Sequence, residues 1–395
     1  MNWLNLFKPM PKNVFSAWQI ELTTRCPLRC RMCIREGIKE WHNGDMSFEN
    51  FKTLIPYFKY VETVVLEGWG ESLLYKNLID VIRLVKTEGP QVGFVTGGKG
   101  LDRKYIFELI NAGVDFIGFS LAGSSARTHE SIRVNSDFGG ILENTKTFNE
   151  IKASKKLGKP KLHIVYLMLR DNISEVPYLM NLAKDIGIAE VVLTNLTHVA
   201  NEWQESQRVF ICNGRGAYEN KSGGTPDLPH NSAIKLPVGQ ASRLSEKVFY
   251  EKILNETELK ARELKIKIRR PSLSPVEVPV CEENPLRNLY ISVDGEVSPC
   301  VYLNPPVPSP FKRIYCGNKF ETEKVSFGNI FREPFHAIWN KKEYIDFRES
   351  FILRKRRFEE IYSPFLDMER LKRFEVIPLP DPPKQCRTCH KMLGV

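Results

Sequence analysis

The sequence has no stretch approaching the roughly 18 consecutive apolar residues that a transmembrane helix needs, which excludes a membrane bundle. Met1 to Phe15 lack the apolar core and small-residue cleavage site of a secretory signal, so nothing here argues for export. No internal repeat is visible, which sets aside solenoids and propellers. With 42% hydrophobic and 26% charged residues, the 395-residue chain has a globular balance, neither disordered nor collagenous. A cytoplasmic location with no membrane partner is the expectation. Acidic residues are the minority charge, 47 against 57 Lys and Arg, giving +10. That balance suits nucleic acid or acidic substrates. The excess is spread along the chain, however, and its densest run, Arg354 to Arg357, is followed at once by Glu359 and Glu360. The run reads as a solvated helix face, and no nucleic-acid partner is expected.

Cysteine is scarce but patterned. There are nine, an odd number, which argues against a disulfide framework. Cys26, Cys30 and Cys33 lie near the N-terminus, and Cys281, Cys300, Cys316, Cys386 and Cys389 lie in the last third. Cys212 stands alone between the groups. This is a metal-type distribution. Cys212 and Cys316, outside the obvious sets, read as structural thiols, with Cys316 also open as an alternative metal ligand.

The first 200 residues alternate β-branched or aromatic runs with amphipathic runs of helical period. Strands are predicted at Ser16–Leu22, Thr63–Glu67, Val92–Thr96, Phe116–Ser120, Leu162–Leu169 and Val191–Asn195. Helices are predicted at Phe48–Tyr60, Leu74–Lys86, Arg103–Ala112, Gly140–Lys155 and Val176–Ile186. Ser47 and Ser174 are N-cap candidates, and Gly113 and Gly187 stand where helix-ending glycines belong. Alternating strands and helices imply parallel pairing with right-handed crossovers. The fold class is α/β, a partial (β/α)6 TIM-like barrel with a small C-terminal α+β domain. The expected divisions are 1–200 for the barrel, 201–270 for a long loop with a helix and strand, and 271–395 for the C-terminal unit. That unit opens with a hairpin, Asn288–Val293 and Glu296–Val301, turned at Asp294-Gly295. In βα barrels chemistry lies at the C-terminal strand ends. Here each end carries polar or glycine residues, such as Gly68-Trp69-Gly70-Glu71 and Thr96-Gly97-Gly98.

Cys26, Cys30 and Cys33 form CxxxCxxC directly after the first strand. Three thiolates on one short loop suit three irons of a 4Fe–4S cluster, leaving the fourth iron open. The alternatives at this point are a zinc knuckle, which normally brings four protein ligands, and cysteines incidental to a loop. With Gly68-Trp69-Gly70-Glu71 after the second strand, and Asp115 to Gly123, His129 and Ile132-Arg133 beyond, the first 200 residues resemble the radical S-adenosylmethionine (SAM) enzymes. GWGE replaces the commoner GGE, and Met32 stands where an aromatic residue is frequent. The resemblance implies SAM chelating the open iron, with Gly68, Trp69, Gly70, Glu71, Thr96, Ser120, Arg133, Asn172, Asn195 and Met32 around it. The chemistry agrees. Glu71 can accept from the SAM ammonium, and Arg133 and Ser120 can hold its carboxylate. Thr96, Asn172 and Asn195 offer partners to ribose and adenine, and the Met32 thioether can pack on adenine.

The C-terminal cysteines resemble the auxiliary-cluster domain called SPASM, or its shortened form, twitch. Cys281, then Gly295, then Cys300 matches its opening, and Phe327 to Ile330 and Ile338 to Asn340 its link and helix. The implied count is one auxiliary 4Fe–4S cluster on Cys281, Cys300, Cys386 and Cys389, with zinc as the other metal reading. His390 adjoins Cys389 too closely to fit easily as a ligand. The implied activity is reductive cleavage of SAM to a 5′-deoxyadenosyl radical that takes a substrate hydrogen, with the auxiliary cluster as electron acceptor. The expected partners are a reductant such as ferredoxin or flavodoxin and a peptide or protein substrate. Small-molecule dehydrogenation or epimerisation, and maturation of a tungsten–pterin oxidoreductase, are the alternatives. An iron–sulfur electron carrier is the non-enzyme reading, though a carrier has no use for Glu71, Ser120 and Arg133 at strand ends. With about 25 residues before Cys26, no winged-helix leader-binding module is expected. No acid follows Cys300, so a general base is sought in Tyr302 or among the carboxylates of 202–230.

Overall fold

A computed structural model of the chain describes residues 15–36, 38, 40–212, 238–361 and 378–395. Six strands lie side by side in chain order: β1 (Phe15–Ile20), β2 (Val61–Val65), β3 (Gln91–Thr96), β4 (Phe116–Leu121), β5 (Lys161–Met168) and β6 (Glu190–Asn195). All neighbours are parallel. Each of the six strands predicted in the first 200 residues is present, with ends within two residues of those expected. Their apolar runs reflect cover on both faces. The covering helices are α1 (Phe48–Lys52), α2 (Leu78–Glu88), α3 (Arg103–Ala112), α4 (Ala126–Ile132), α5 (Phe138–Ser154) and α6 (Val176–Asp185). Two more follow, α7 (Glu202–Ser206) and α8 (Val238–Leu264).

Local chemistry explains where the helices depart from expectation. The first stops at Lys52, because Pro56 starts a separate 3-10 turn, Ile55–Tyr60. Ser47 caps it as expected, accepting from Asn50 N at 3.0 Å. Ser174 does not cap α6, because a 3-10 turn, Ile173–Glu175, runs straight into that helix. Gly113 and Gly187 follow α3 and α6 in the left-handed conformation.

The sheet does not end at β6. β7 (Lys267–Arg269) pairs parallel with β6, and β8 (Asn288–Ile291) pairs parallel with β1 on the opposite edge. β9 (Val297–Ser298) closes that edge antiparallel, making nine strands. The C-terminal hairpin is therefore built into the barrel sheet, where it covers the free edge of β1. Beyond it lie a hairpin of β10 (Phe311–Tyr315) and β11 (Asn318–Thr322), then α9 (Phe335–Trp339) and α10 (Lys342–Ile361). Phe335 and Trp339 pack on Phe15 and Trp18 of β1, with ring centroids 4.8 Å apart for Trp18–Phe335 and Phe15–Trp339. An aromatic core thus joins the C-terminal unit to the first strand.

The basic run on α10 is not uniformly solvated. Arg354 is fully buried. Its guanidinium donates to the carbonyls of Val278, Pro279 and Pro380 and pairs with Glu277. A long basic side chain on a helix meets irregular backbone here and satisfies carbonyls that have no ladder partner.

Candidate functional site

The ends of β1 to β6 open on one cavity of about 660 Å3. Cys26, Cys30, Met32 and Cys33 line it, as do Gly68 to Glu71, Thr96, Ser120, Arg133 and Asn195. Asn172 does not. Its Oδ1 accepts from Leu169 N, and its Nδ2 donates to Ala122 O and Leu167 O. The side chain is a buried brace between the ends of β4 and β5, which corrects its assignment to the cofactor site. An asparagine after a strand serves a turn as readily as a ligand.

The cysteine loop is fixed by backbone. Arg29 and Cys30 pair antiparallel with Val134 and Arg133. That register lays Arg133 against the loop, with Nη1 3.9 Å from Cys30 Sγ. From α7, Gln204 Nε2 donates to Arg31 O and Cys33 O, both at 3.2 Å. Burial, then the neighbouring negative groups, push the Cys26 thiol up to about 11 and Cys33 up to about 12. Burial raises Cys30 as well, against the pull of Arg133. Such thiols ionise only beside positive charge, which cluster irons supply. Backbone N–H groups of Leu28 and Arg35 bond the sulfurs of Cys26 and Cys33, favouring the thiolate. The donor set therefore fits a 4Fe–4S cluster on three cysteines.

Glu71 closes the other wall. Its Oε1 accepts from Thr96 Oγ1 at 2.7 Å and Leu73 N at 3.2 Å, and its Oε2 from Gly97 N at 2.8 Å. It therefore caps the short turn after β2 and faces the cavity. Burial raises its pKa, while these donors and Arg133 oppose the rise. With one bond on Oε2, the carboxylate retains acceptor capacity for an ammonium group. Met32 packs with Ala122, Leu169 and Leu196 beside the loop. Asn195 Nδ2 donates to Ser272 O, while its Oδ1 is buried without a partner. Arg133 Nε is likewise unpartnered.

Cys281, Cys300, Cys386 and Cys389 gather in one apolar cluster with Leu303, Phe347, Phe351 and Met392. Burial and mutual repulsion raise Cys281 to about 12, and also raise Cys300 and Cys386. Four cysteines gathered in one apolar cluster fit an auxiliary 4Fe–4S cluster, whose irons supply the positive charge that the raised thiols of Cys281, Cys300 and Cys386 need. Cys316 lies outside this set, bonded through sulfur to Cys212. The expectation of nine metal-binding or inert thiols is corrected by that pair. Sequence spacing cannot join residues separated by 104 positions.

A family model for the radical SAM superfamily matches residues 20–183, and one for an iron–sulfur cluster-binding domain, SPASM, matches 281–390. The chain belongs to the radical SAM superfamily. It is 22% identical over 335 residues to a tungsten-containing aldehyde ferredoxin oxidoreductase cofactor-modifying protein of Pyrococcus furiosus, covering 83% of this chain and 82% of that one. Among solved structures, SuiB of Streptococcus suis bound to S-adenosylmethionine superposes with a TM-score of 0.55 at 14% identity, covering 85% of this chain and 68% of that one. The enzyme anSMEcpe with bound AdoMet and Cp18Cys peptide gives 0.54 at 14% identity, covering 85% and 83%. As a radical SAM enzyme with a SPASM domain, the protein uses a 4Fe–4S cluster, SAM and auxiliary iron–sulfur chemistry.

Sterics explain why a tryptophan stands between two glycines here. A Cβ at Gly70 meets Thr23 O at 2.1 Å, and one at Gly68 meets Glu21 Oε1 at 2.4 Å. Position 69 has no such limit. Trp69 N donates to Glu21 Oε1 and its Nε1 to Val301 O, the residue after Cys300. Trp69 thus ties the 68–71 turn to the loop that follows Cys300, and its ring meets His198 and Tyr302 edge-on.

Several cavity residues were not evident from sequence. Glu67, just past β2, accepts from Val95 N, and burial pushes its carboxyl up to about 7. Outside the cavity lining, Glu21, bonded to Tyr290 and Trp69 N, is pushed to about 7 by the same cause. Acidic residues just past barrel strands were the available signal. His198 lines the cavity with Nε2 buried and unpartnered, and burial holds its ring neutral. Tyr302 lines it too, but Glu202 and Glu205 do not, being paired with Lys319 and Arg208. The carboxylates of 213–230 lie outside the described residues. Among the described residues, no helix is long and apolar enough to cross a membrane.

Proposed function

We propose that this radical SAM enzyme modifies a peptide or protein, with Cys281, Cys300, Cys386 and Cys389 placed to hold one auxiliary 4Fe–4S cluster that would supply an electron acceptor. Bound together, the N-terminal cluster and SAM supply a 5′-deoxyadenosyl radical, able to take hydrogen from an unactivated carbon. The chain's own residues bind, orient and exclude water. Glu71 receives the SAM ammonium, Arg133 and Ser120 its carboxylate, and Thr96 and Asn195 its ribose and adenine. Trp69, His198 and Tyr302 form the wall where a substrate group would lie, between the two cysteine sets. Glu67, which burial pushes up to about 7, is a cavity carboxylate able to take up and release a proton near neutral pH. The observation that carries the reading is the shared cavity of about 660 Å3, which carries both the SAM motif and Tyr302, two residues beyond Cys300. The peptide class draws on SuiB bound to precursor peptide SuiA and on anSMEcpe bound to Cp18Cys peptide. A second reading, modification of a tungsten–pterin cofactor, draws on the P. furiosus relative, whose match spans both domains.

The reconstituted enzyme, given SAM and dithionite without oxygen, is expected to form 5′-deoxyadenosine. Absence of that product would overturn the reading. With deuterated extract from the source cells, deuterium should enter 5′-deoxyadenosine from the fraction retained by dialysis. Transfer from the dialysable fraction alone would favour the small cofactor.

A further inference from the structure

Cys212 follows α7, and Cys316 sits in the turn between β10 and β11 with a left-handed φ of 49°. Their Cα atoms stand 5.4 Å apart and their sulfurs are bonded. Both half-buried residues line a second cavity, of about 330 Å3, together with Arg170 and Arg208. Arg208 Nη1 lies 3.6 Å from Cys212 Sγ. A guanidinium beside a cysteine sulfur stabilises it as a leaving thiolate, which speeds exchange.

His390 completes the group: one of its ring nitrogens and the two sulfurs lie within 4.8 Å of one another. Both ring nitrogens are nevertheless engaged. Nδ1 donates to Thr197 O at 3.0 Å, and Nε2 accepts from Cys316 N at 3.1 Å. The ring therefore fixes the Cys316 backbone, and the arrangement favours a sulfur–sulfur bond over a metal ion.

The pair sits where the two cysteine loops meet. On the Cys212 side, α7 holds Arg31 O and Cys33 O through Gln204. Lys319 of β11 pairs with Glu202 of α7 at 2.7 Å. On the Cys316 side, Ile314 N donates to Val199 O at 2.7 Å, and His390 adjoins Cys389.

We propose that Cys212 and Cys316 are a reversible redox pair that exchanges with a dithiol, and that the bonded form clamps both cysteine loops. In the exchange a dithiol thiolate attacks one sulfur and the Cys212–Cys316 bond breaks. The second dithiol sulfur then displaces the mixed disulfide. The protein gains two electrons and two protons as two thiols, and the reagent leaves as a cyclic disulfide. The exchange chemistry stands whether or not the two loops hold clusters.

The test uses the reconstituted full chain, acid-quenched and alkylated before and after dithiothreitol, then digested with trypsin. Peptides 209–215 and 314–319 should be joined before the dithiol and separately alkylated after it. Full alkylation without dithiol overturns the pair. So does zinc or iron, at about one ion per chain, that Cys316→Ser removes. Hydrogen exchange at residues 26–35 should be roughly tenfold faster in the dithiol-treated chain. The Cys212→Ser/Cys316→Ser variant should match it and ignore dithiol. If that variant does not fold, the dithiol-treated wild type carries the comparison. Equal exchange in the bonded and reduced wild-type chains overturns the clamp.

Discussion

Gly70→Ala should detach the SAM motif from the cysteine loop. The new methyl group would stand 2.1 Å from Thr23 O and 2.8 Å from Arg25 O, both backbone atoms. Neither can retreat. Thr23 Oγ1 donates to Asp45 at 2.6 Å, and Thr24 Oγ1 donates to His42 O at 2.6 Å. The motif must move instead, breaking the bond from Glu71 N to Arg25 O at 2.8 Å. Overpacking of this kind costs about 3 kcal/mol. A displacement near 1 Å at a positioning group costs roughly a hundredfold in function. Thermal unfolding of the apo chain and SAM binding to the reconstituted chain measure the two effects. Gly158→Ala is the control, since a Cβ there meets nothing within 4 Å. Equal behaviour of the two variants would remove the steric account of the motif.

Arg354→Met should empty the auxiliary site while sparing the N-terminal one. Arg354 ties the 277–279 segment, just before Cys281, to Pro380, which leads to Cys386. Methionine fills similar space but donates nothing, so three carbonyls lose a charged donor. Arg354 is buried while its partner Glu277 is about half-exposed, so the loss is that of the charged hydrogen bonds, roughly 1.5–3 kcal/mol each. Iron per chain should fall from about eight to about four, the content of one 4Fe–4S cluster. SAM binding should persist. Unchanged iron would show that the strut does not hold the auxiliary cysteines.

These two residues mark what the sequence discloses and what it hides. Gly70 sits in a motif readable at a glance, because its neighbours carry the chemistry at fixed spacing. The six barrel strands were equally legible, since both faces are buried and the apolar runs are nearly continuous. Arg354 was hidden, because a basic residue in a charged helix reads as solvated until the backbone it meets is known. The place of Asn288–Ile291 was hidden for a related reason: alternation defines a strand but not the edge it joins. Asn172 offers polar atoms that a turn consumes. The Cys212–Cys316 bond depends on the hairpin Phe311–Thr322, whose turn carries Cys316 to a partner 104 positions away. Trp69 shows a motif departure with a physical cause, because an added Cβ is excluded at positions 68 and 70, while the side chain at 69 finds a partner in Val301 O.

The most direct test of the central claim is iron and acid-labile sulfide per chain after anaerobic reconstitution. Wild type is compared with Cys26→Ala/Cys30→Ala/Cys33→Ala. Two independent sites predict about eight irons in the wild type and about four in the variant. Loss of all iron from the variant would contradict the account, leaving Cys281, Cys300, Cys386 and Cys389 without a cluster.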